Sequence, residues 1–203
     1  MTVIAIKEGL MDEIEIVERI KKGETKYFEQ IIAKYKKVVF GHAYNFLRNK
    51  EEAEDTAQEV FIAVYKSLAA FRGDSKLSTW IYRITINTCK NRLKQMQRLR
   101  AQTADEQYEE GDENKTSMVD NIKEKEEKEP DKSYASDRVR ELIYARIDEL
   151  TVEQKQVILM RDVDGLSYED IGRVLKLSVS AVKSKLFRAR ENLREKLEHD
   201  DVL

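Results

Sequence analysis

The sequence predicts an all-α protein with two small helical domains joined by a flexible acidic linker, the second domain carrying a helix-turn-helix. Its 203 residues leave room for one or two domains. The chain has few turn-forming residues, with one proline and seven glycines, and its apolar residues recur mostly at helical spacing. Residues 101–135 lose this spacing and are rich in acid, so we expect domains at 12–100 and 136–198.

The composition excludes several classes of protein. A single cysteine excludes a disulfide framework and a cysteine-based zinc site, and it fits a reducing compartment. The N-terminal stretch "MTVIAIKEGL" lacks the basic leader of a secretory signal. No run approaches the roughly 18 apolar residues of a membrane span. We therefore expect a cytoplasmic protein with no direct membrane insertion.

Charge is distributed unevenly, although the net charge is only −2. Residues 105–131 hold twelve acidic residues against four lysines, which leaves the rest of the chain at +6. Residues 83–100 contain six basic residues and no acid, and residues 178–196 contain six basic residues against two glutamates. Each patch alone is compatible with a solvated helix face, but two such patches favour a nucleic-acid partner.

Four helices are predicted in the first domain. The stretch "DEIEIVERIKKG" predicts a short helix that ends at Gly23, and the apolar residues between Phe28 and Leu47 predict a second helix. A third helix follows "RNKEEAEDT". Residues 71–78 break the period and predict a loop, after which the fourth helix begins near Thr79.

The second domain is predicted to begin near Ser136 with an amphipathic helix. Thr151 then has the spacing of a helix cap, with Gln154 as its capping-box partner. Gly165 ends that helix, and "SYED" begins another in the same way. The turn "KLS" leads into a last helix from about Val179.

The fourth helix has an unusual polar face within "TWIYRITINTCKNRLK", residues 79–94. At 100° per residue, Ile81, Thr85 and Cys89 share one side. The opposite face holds Trp80, Arg83, Asn87, Lys90, Asn91 and Lys94. Asparagine offers a donor and an acceptor to a base edge, the cations suit phosphates, and an aromatic ring stacks on a base. The alternative is that Trp80 covers the core of its own domain and the asparagines are merely solvated.

The stretch "LSYEDIGRVLKLSVSAVKSKLFRAR" has the layout of a helix-turn-helix. Val182, Leu186 and Ala189 are predicted to pack on the preceding helix. The opposite arc of the last helix, with its flanks, holds Ser180, Lys183, Ser184, Lys185, Phe187, Arg188 and Arg190. These side chains suit phosphates, guanine edges and a thymine methyl group in a major groove. A plain helical hairpin with a solvated basic face is the alternative, but it does not explain an exposed phenylalanine.

Three stretches resemble the extracytoplasmic-function (ECF, group IV) sigma factors of the sigma-70 family, which are subunits of bacterial RNA polymerase. They are "AEDTAQEVFIAVY" (53–65), "FRGDSKLSTWIYRITINTCKNRLK" (71–94) and "LTVEQKQVILMRDVDGLSYEDIGRVLKLSVSAVKSKLFRARENLR" (150–194). The resemblance implies that the first domain binds polymerase core and the minus-ten element, and that the second binds the minus-thirty-five duplex. Unpaired promoter bases would be read at Asn87 and Asn91. The contacts implied for the polymerase β′ coiled coil are Asp55, Gln58, Glu59 and Phe61.

The implied partners are RNA polymerase core, promoter DNA in duplex and single-stranded form, and an anti-sigma factor. No cofactor, metal site or enzymatic activity is predicted, because the sequence has no phosphate loop or metal-ligand cluster. His42 is expected to be a partly buried helix residue and Cys89 a core residue. The rival function is a ligand-responsive dimeric helix-turn-helix repressor, which would bind duplex operator without polymerase. The acidic linker is either a spacer or a cover for the basic helices.

Overall fold

The computed structural model describes residues 12–109 and 133–198, and within these ranges it contains eight α-helices and no strand. In chain order the helices are α1 Glu13–Lys21, α2 Phe28–Leu47, α3 Lys50–Ser67, α4 Leu77–Glu109, α5 Ser133–Asp148, α6 Val152–Ile158, α7 Tyr168–Leu175 and α8 Val179–Glu198. Short 3-10 turns precede α2 and follow α3, and a π-helical turn, Leu159–Val163, follows α6. The all-α prediction and its two helical domains are confirmed.

Helices α1 to α4 form the first domain around one apolar core. Helix α2 ends at Arg48, whose backbone is left-handed (φ 54°), and α3 begins at once because the Asn49 side chain accepts a hydrogen bond from the Glu52 amide. The two long helices therefore run antiparallel and present facing apolar stripes. The core contains Val17, Ile20, Ile31, Tyr35, Val39, Val60, Val64, Leu68 and Ile81.

The second domain follows the predicted caps. Thr151 and Gln154 form a complete capping box at the start of α6. Ser167 accepts a hydrogen bond from the Asp170 amide at the start of α7. A three-residue turn then leads into α8, whose buried residues are Val182, Leu186 and Ala189. The predicted helix-turn-helix is therefore present.

Three predicted boundaries differ from the structure. Helix α4 begins at Leu77, inside the predicted loop, and continues to Glu109, while α5 begins at Ser133. Residues 101–109 stay helical without an apolar stripe because they contain alanine, glutamine and glutamate and no glycine or proline. The rest of the predicted linker, residues 110–132, lies outside the described residues, as does the hypothesis that it covers the basic helices.

The two domains pack against each other, which the sequence pattern did not predict. One core cluster joins Phe46 and Cys89 of the first domain to Leu159 and Leu186 of the second. A second cluster joins Tyr82 and Ile86 of α4 to residues of α7, α8 and the π-helical turn. As predicted, Cys89 is a buried core residue. The expectation for His42 was wrong, because it is completely buried at this contact between the domains.

Candidate nucleic-acid interface

The first basic surface lies on the middle of α4. Asn87, Asn91 and Lys94 are exposed, and Lys90 is half-buried beside them. They lie on this side because Ile81, Thr85 and Cys89 turn the opposite face of the helix into the core. Positions 87, 91 and 94 are separated by four and three residues, so their side chains form one stripe along the helix. The structure thus brings together four of the six residues predicted for this face.

Trp80 and Arg83, the other two, are engaged within the protein. The Trp80 indole is half-buried, with its ring centroid 5.1 Å from that of the buried Phe71. This contact covers the end of the first-domain core, as in the alternative interpretation of the sequence. The Arg83 guanidinium donates a hydrogen bond to the backbone carbonyl of Arg173 in α7, at 2.6 Å. Contact of either side chain with DNA remains a prediction.

The second basic surface lies on α8. All seven predicted side chains are exposed: Ser180, Lys183, Ser184, Lys185, Phe187, Arg188 and Arg190. Phe187 has 65% of its area in solvent and lies opposite the buried stripe of the helix. A large apolar side chain in this position has no packing role, so its presence favours a binding surface.

Arg190 differs from its neighbours on this surface. Its guanidinium donates to both carboxylate oxygens of Asp162, with Nε 3.1 Å from Oδ2. This pairing raises the pKa of Arg190 and fixes the side chain at the edge of the surface. Lys183 is held differently, with its ammonium 5.6 Å from the centre of the Tyr168 ring.

Gly172 sets the geometry of the helix-turn-helix, although the sequence analysis did not single it out. Its carbonyl accepts a hydrogen bond from the Leu177 amide at 2.9 Å, and Lys176 turns the chain with φ 57°. A β-carbon at position 172 would lie 2.7 Å from the Leu177 carbonyl oxygen, closer than side-chain atoms approach. The available signal was a glycine inside a predicted helix just before a turn.

The acidic surface of α3 presents Asp55, Gln58 and Glu59 to solvent. Phe61, the predicted apolar member of this set, is half-buried against the first-domain core. Ile62 instead has 54% of its area exposed. Positions 55, 58, 59 and 62 form one helical stripe, so Ile62 is the exposed apolar residue of this surface. Its spacing from Asp55 was the signal that the sequence analysis missed.

The Arg92 side chain of α4 contacts this acidic surface of α3. Its guanidinium pairs with Glu52 and lies 3.7 Å from a carboxylate oxygen of Asp55 and 4.0 Å from one of Glu59. The carboxylates raise the pKa of Arg92, chiefly through the hydrogen bond to Glu52. Glu52 is fixed by this pairing, and the exposed carboxylates of Asp55 and Glu59 have a cation within 4.0 Å.

Other kinds of site were sought in the same parts of the chain. Within residues 12–109 and 133–198, histidine, cysteine and carboxylate side chains form no group able to hold a metal ion. None of the helices described combines the length and the apolar character needed to cross a membrane.

Two helical domains, each with a basic exposed face and the second with a helix-turn-helix, are the arrangement of a DNA-binding protein. Residues 31–99 match the family model for Sigma-70 region 2, and residues 140–193 match that for Sigma-70, region 4. The chain is 34% identical to the RNA polymerase sigma-H factor of Pseudomonas aeruginosa, over 91% of this chain and 93% of that protein. It is 33% identical to the ECF RNA polymerase sigma-E factor of Escherichia coli, over 95% and 97% of the two chains.

The fold is also that of solved structures, among them the sigma factor RpoE in complex with the anti-sigma factor NepR from Bartonella quintana, which matches with a TM-score of 0.57 and 20% identity, over 85% of this chain and 98% of that one. The structure of CnrH in complex with the cytosolic domain of CnrY matches with a TM-score of 0.63 and 19% identity, over 91% of this chain and 96% of that one. The chain belongs to the sigma-70 family, and within it to the ECF sigma factors. Its function is that of an RNA polymerase sigma factor. The alternative of a ligand-responsive repressor has no support among these relatives.

Proposed function

We propose that this sigma factor divides its task among three surfaces, each on a different helix. The acidic stripe of α3 docks on the polymerase core, the asparagine face of α4 holds unpaired bases of the minus-ten element, and α8 reads the minus-thirty-five duplex. The observation that carries the proposal is that two separate basic faces, one on each domain, stay exposed on helices whose opposite faces are buried. The chain acts by binding in the cytoplasm and performs no chemical step of its own.

Docking on the core uses charge for orientation and an apolar side chain for affinity. Asp55 and Glu59 lie at the rim of the stripe, where exposed carboxylates steer a basic partner and fix its register. Ile62 supplies apolar area that the fold leaves in solvent. The Arg92 cation within 4.0 Å of both carboxylates favours one orientation of them, which lowers the side-chain freedom lost on docking.

Capture of the minus-ten bases uses the α4 stripe. The amides of Asn87 and Asn91 each offer a donor and an acceptor, which is the pattern needed to pair with a base edge. Lys90 and Lys94 flank them and contact the phosphates of the same strand. Strand opening then takes its free energy from binding, because the captured bases gain contacts that offset lost pairing and stacking.

Recognition of the minus-thirty-five element uses the exposed face of α8. The N-terminal part of a second helix in this motif enters the major groove, and here it carries Ser180, Lys183 and Ser184. Phe187 and Arg188 follow one turn later and suit a thymine methyl group and a guanine edge. Arg190, paired with Asp162 at the flank, contacts the phosphate backbone.

An anti-sigma factor is the proposed regulator. Among solved relatives, CnrH is in complex with the cytosolic domain of CnrY, and the sigma factor RpoE of Bartonella quintana is in complex with the anti-sigma factor NepR. Each of these two structures of the same fold holds a protein partner, one of them an anti-sigma factor, which supports a regulator of that kind for this chain.

The proposal is tested by permanganate probing of a promoter fragment with and without polymerase core. With core present, the chain should make thymines of the minus-ten element reactive, because those bases become unpaired. The chain alone should leave the duplex unreactive and bind it without specificity. Tight specific binding of duplex DNA by the chain alone, with no opening when core is added, would contradict the proposal.

The docking surface is tested separately by titrating labelled chain with core. Ile62→Ala should weaken core binding by about tenfold, since a buried interface side chain contributes on the order of 1–2 kcal/mol. Ile14→Ala removes an equally exposed isoleucine from α1, outside the stripe, and should leave the affinity unchanged. Equal effects of the two substitutions would remove Ile62 from the docking surface.

A further inference from the structure

A buried polar cluster joins the two domains at residues that none of the three surfaces uses. The Asp164 carboxylate accepts hydrogen bonds from two groups of the first domain, His42 Nδ1 at 2.7 Å and the Tyr82 hydroxyl. The His42 nitrogen is also 2.9 Å from the Tyr82 oxygen. His42 is completely buried and the Asp164 side chain is 12% exposed. Three helical segments distant in sequence therefore meet in one polar contact.

The backbone around Asp164 is shaped to bring its carboxylate inward. The π-helical turn widens the end of α6, and the Asp164 amide closes it with a hydrogen bond to the Leu159 carbonyl at 2.8 Å. Gly165 follows with φ 71°, a conformation that side chains with a β-carbon rarely adopt. Departures of this kind from regular helix are frequent at functional positions.

Further contacts surround the polar cluster. Thr79 donates a hydrogen bond to Asp170 at 3.4 Å, and Arg83 donates to the Arg173 carbonyl. Tyr82 and Ile86 of α4 pack in the same apolar cluster as Ile171 of α7. The start of the α4 basic face is therefore covered by α7 in this arrangement.

The closed arrangement is incompatible with simultaneous promoter contacts, a step that rests on the proposed function. By their numbering, the minus-ten and minus-thirty-five elements are centred about 25 base pairs apart, which is roughly 85 Å of duplex at about 3.4 Å per base pair. Here α4 and α7 are in direct contact. The domains must separate before both elements are bound, and separation also frees Arg83 for DNA.

We propose that His42, Tyr82 and Asp164 form a latch that holds the free sigma factor in this closed state and is released when polymerase and promoter bind. A polar latch suits reversible closure because its groups regain hydrogen bonds to water when they separate. The closed state also leaves His42 Nε2 buried with no hydrogen-bond partner among the described residues, which limits its stability. The latch thus fixes the register of the two domains, whose closure is also stabilised by the shared apolar clusters.

Single-molecule energy transfer between dyes on the two domains tests the latch in the absence of polymerase. Dyes on Lys36→Cys and Glu195→Cys, both exposed positions, report the distance in a Cys89→Ala background. Asp164→Ala removes the shared carboxylate acceptor and leaves His42 and Tyr82 with only each other as hydrogen-bond partners in the closed state. The loss of hydrogen bonds to a charged group should raise the ratio of open to closed molecules by about 5- to 150-fold. Tyr82→Phe keeps the ring and removes one donor, and it should raise the ratio by about 2- to 10-fold. Circular dichroism confirms that each variant keeps its helix content.

Glu169→Gln is the matched control, because it removes one negative charge from the neighbouring α7 at an exposed position. An unchanged ratio in this variant, with increases in the two latch variants, supports the latch. No increase in Asp164→Ala, or an equal increase in Glu169→Gln, would overturn it.

Core binding then tests whether closure matters for function. If only open molecules bind core, the apparent affinity of Asp164→Ala should rise in proportion to its open fraction. An increased open fraction with unchanged core affinity would overturn the regulatory role of the latch. Failure of every variant and of the parent chain to bind core would instead overturn the proposed function.

Discussion

Gly172→Ala should destabilise the helix-turn-helix even though alanine is the better helix former. The added methyl group would lie 2.7 Å from the Leu177 carbonyl oxygen and 3.9 Å from Val182 Cγ2. The carbonyl has little freedom to move, because the Leu177 amide is hydrogen-bonded to the Gly172 carbonyl at 2.9 Å. Overpacking costs about 1–3 kcal/mol, against a gain of up to about 1 kcal/mol in helix propensity. We therefore expect a net loss of up to about 2 kcal/mol in the free energy of unfolding.

Gly41→Ala provides the matched control within α2. A β-carbon at position 41 would have no neighbour within 4 Å, so the same substitution should stabilise the chain by about 0.5–1 kcal/mol. Urea unfolding followed by circular dichroism measures both variants. Gly172→Ala should also weaken binding of a minus-thirty-five duplex by the holoenzyme, since the turn sets the angle of α8. Equal stability of the two variants would refute the steric argument.

Three further substitutions and reactions test the surfaces and the core. Asn87→Ala should reduce promoter opening, measured by permanganate reactivity, while the affinity for core stays constant. Gln95→Ala removes an exposed amide from the same helix and should change neither promoter opening nor core affinity. Arg188→Ala should weaken minus-thirty-five binding by about 1–3 kcal/mol in a gel shift with holoenzyme, whereas Arg194→Ala, whose cation is paired with Glu191, should have little effect. Burial raises the pKa of the Cys89 thiol to about 12, so at pH 8 only roughly 10⁻⁴ of the thiol is ionised. A thiol reagent should therefore label the native chain slowly and the urea-unfolded chain rapidly.

Each of these three predictions has an outcome that would contradict it. Loss of core affinity in Asn87→Ala would indicate a folding defect rather than a lost base contact. Equal weakening by Arg188→Ala and Arg194→Ala would mean that α8 contributes only general positive charge. Rapid labelling of native Cys89 would show that the shared core is open in solution.

Local order was predictable from the sequence because each signal lies within a few residues. The spacing of Thr151 and Gln154 predicts a capping box, and the structure contains it. The buried stripe Val182, Leu186 and Ala189 follows directly from the helical period. The exposed face of α8 is the complement of that stripe, so its composition was predictable as well.

Contacts between distant segments were not predictable in this way. Nothing in the period of α2 indicates that His42 meets a carboxylate 122 residues later. Phe61 and Ile62 are neighbours of similar hydrophobicity, and only the direction of the first-domain core decides that Phe61 is half-buried and Ile62 exposed. Trp80 lies on the polar side of its helix by sequence, but the preceding loop places the buried Phe71 beside it, and the indole packs on that ring. These features depend on tertiary packing, which periodicity does not encode.

Run-off transcription with purified core on a library of promoter fragments tests most directly whether the chain directs polymerase core to promoters. Transcripts should appear only when the chain is added, and they should start at a fixed distance downstream of two shared sequence elements. Asn87→Ala and Arg188→Ala should lower the yield at different steps. A sigma-factor role would be contradicted if adding the chain to core produced no specific transcripts while the chain alone bound duplex DNA with sequence specificity.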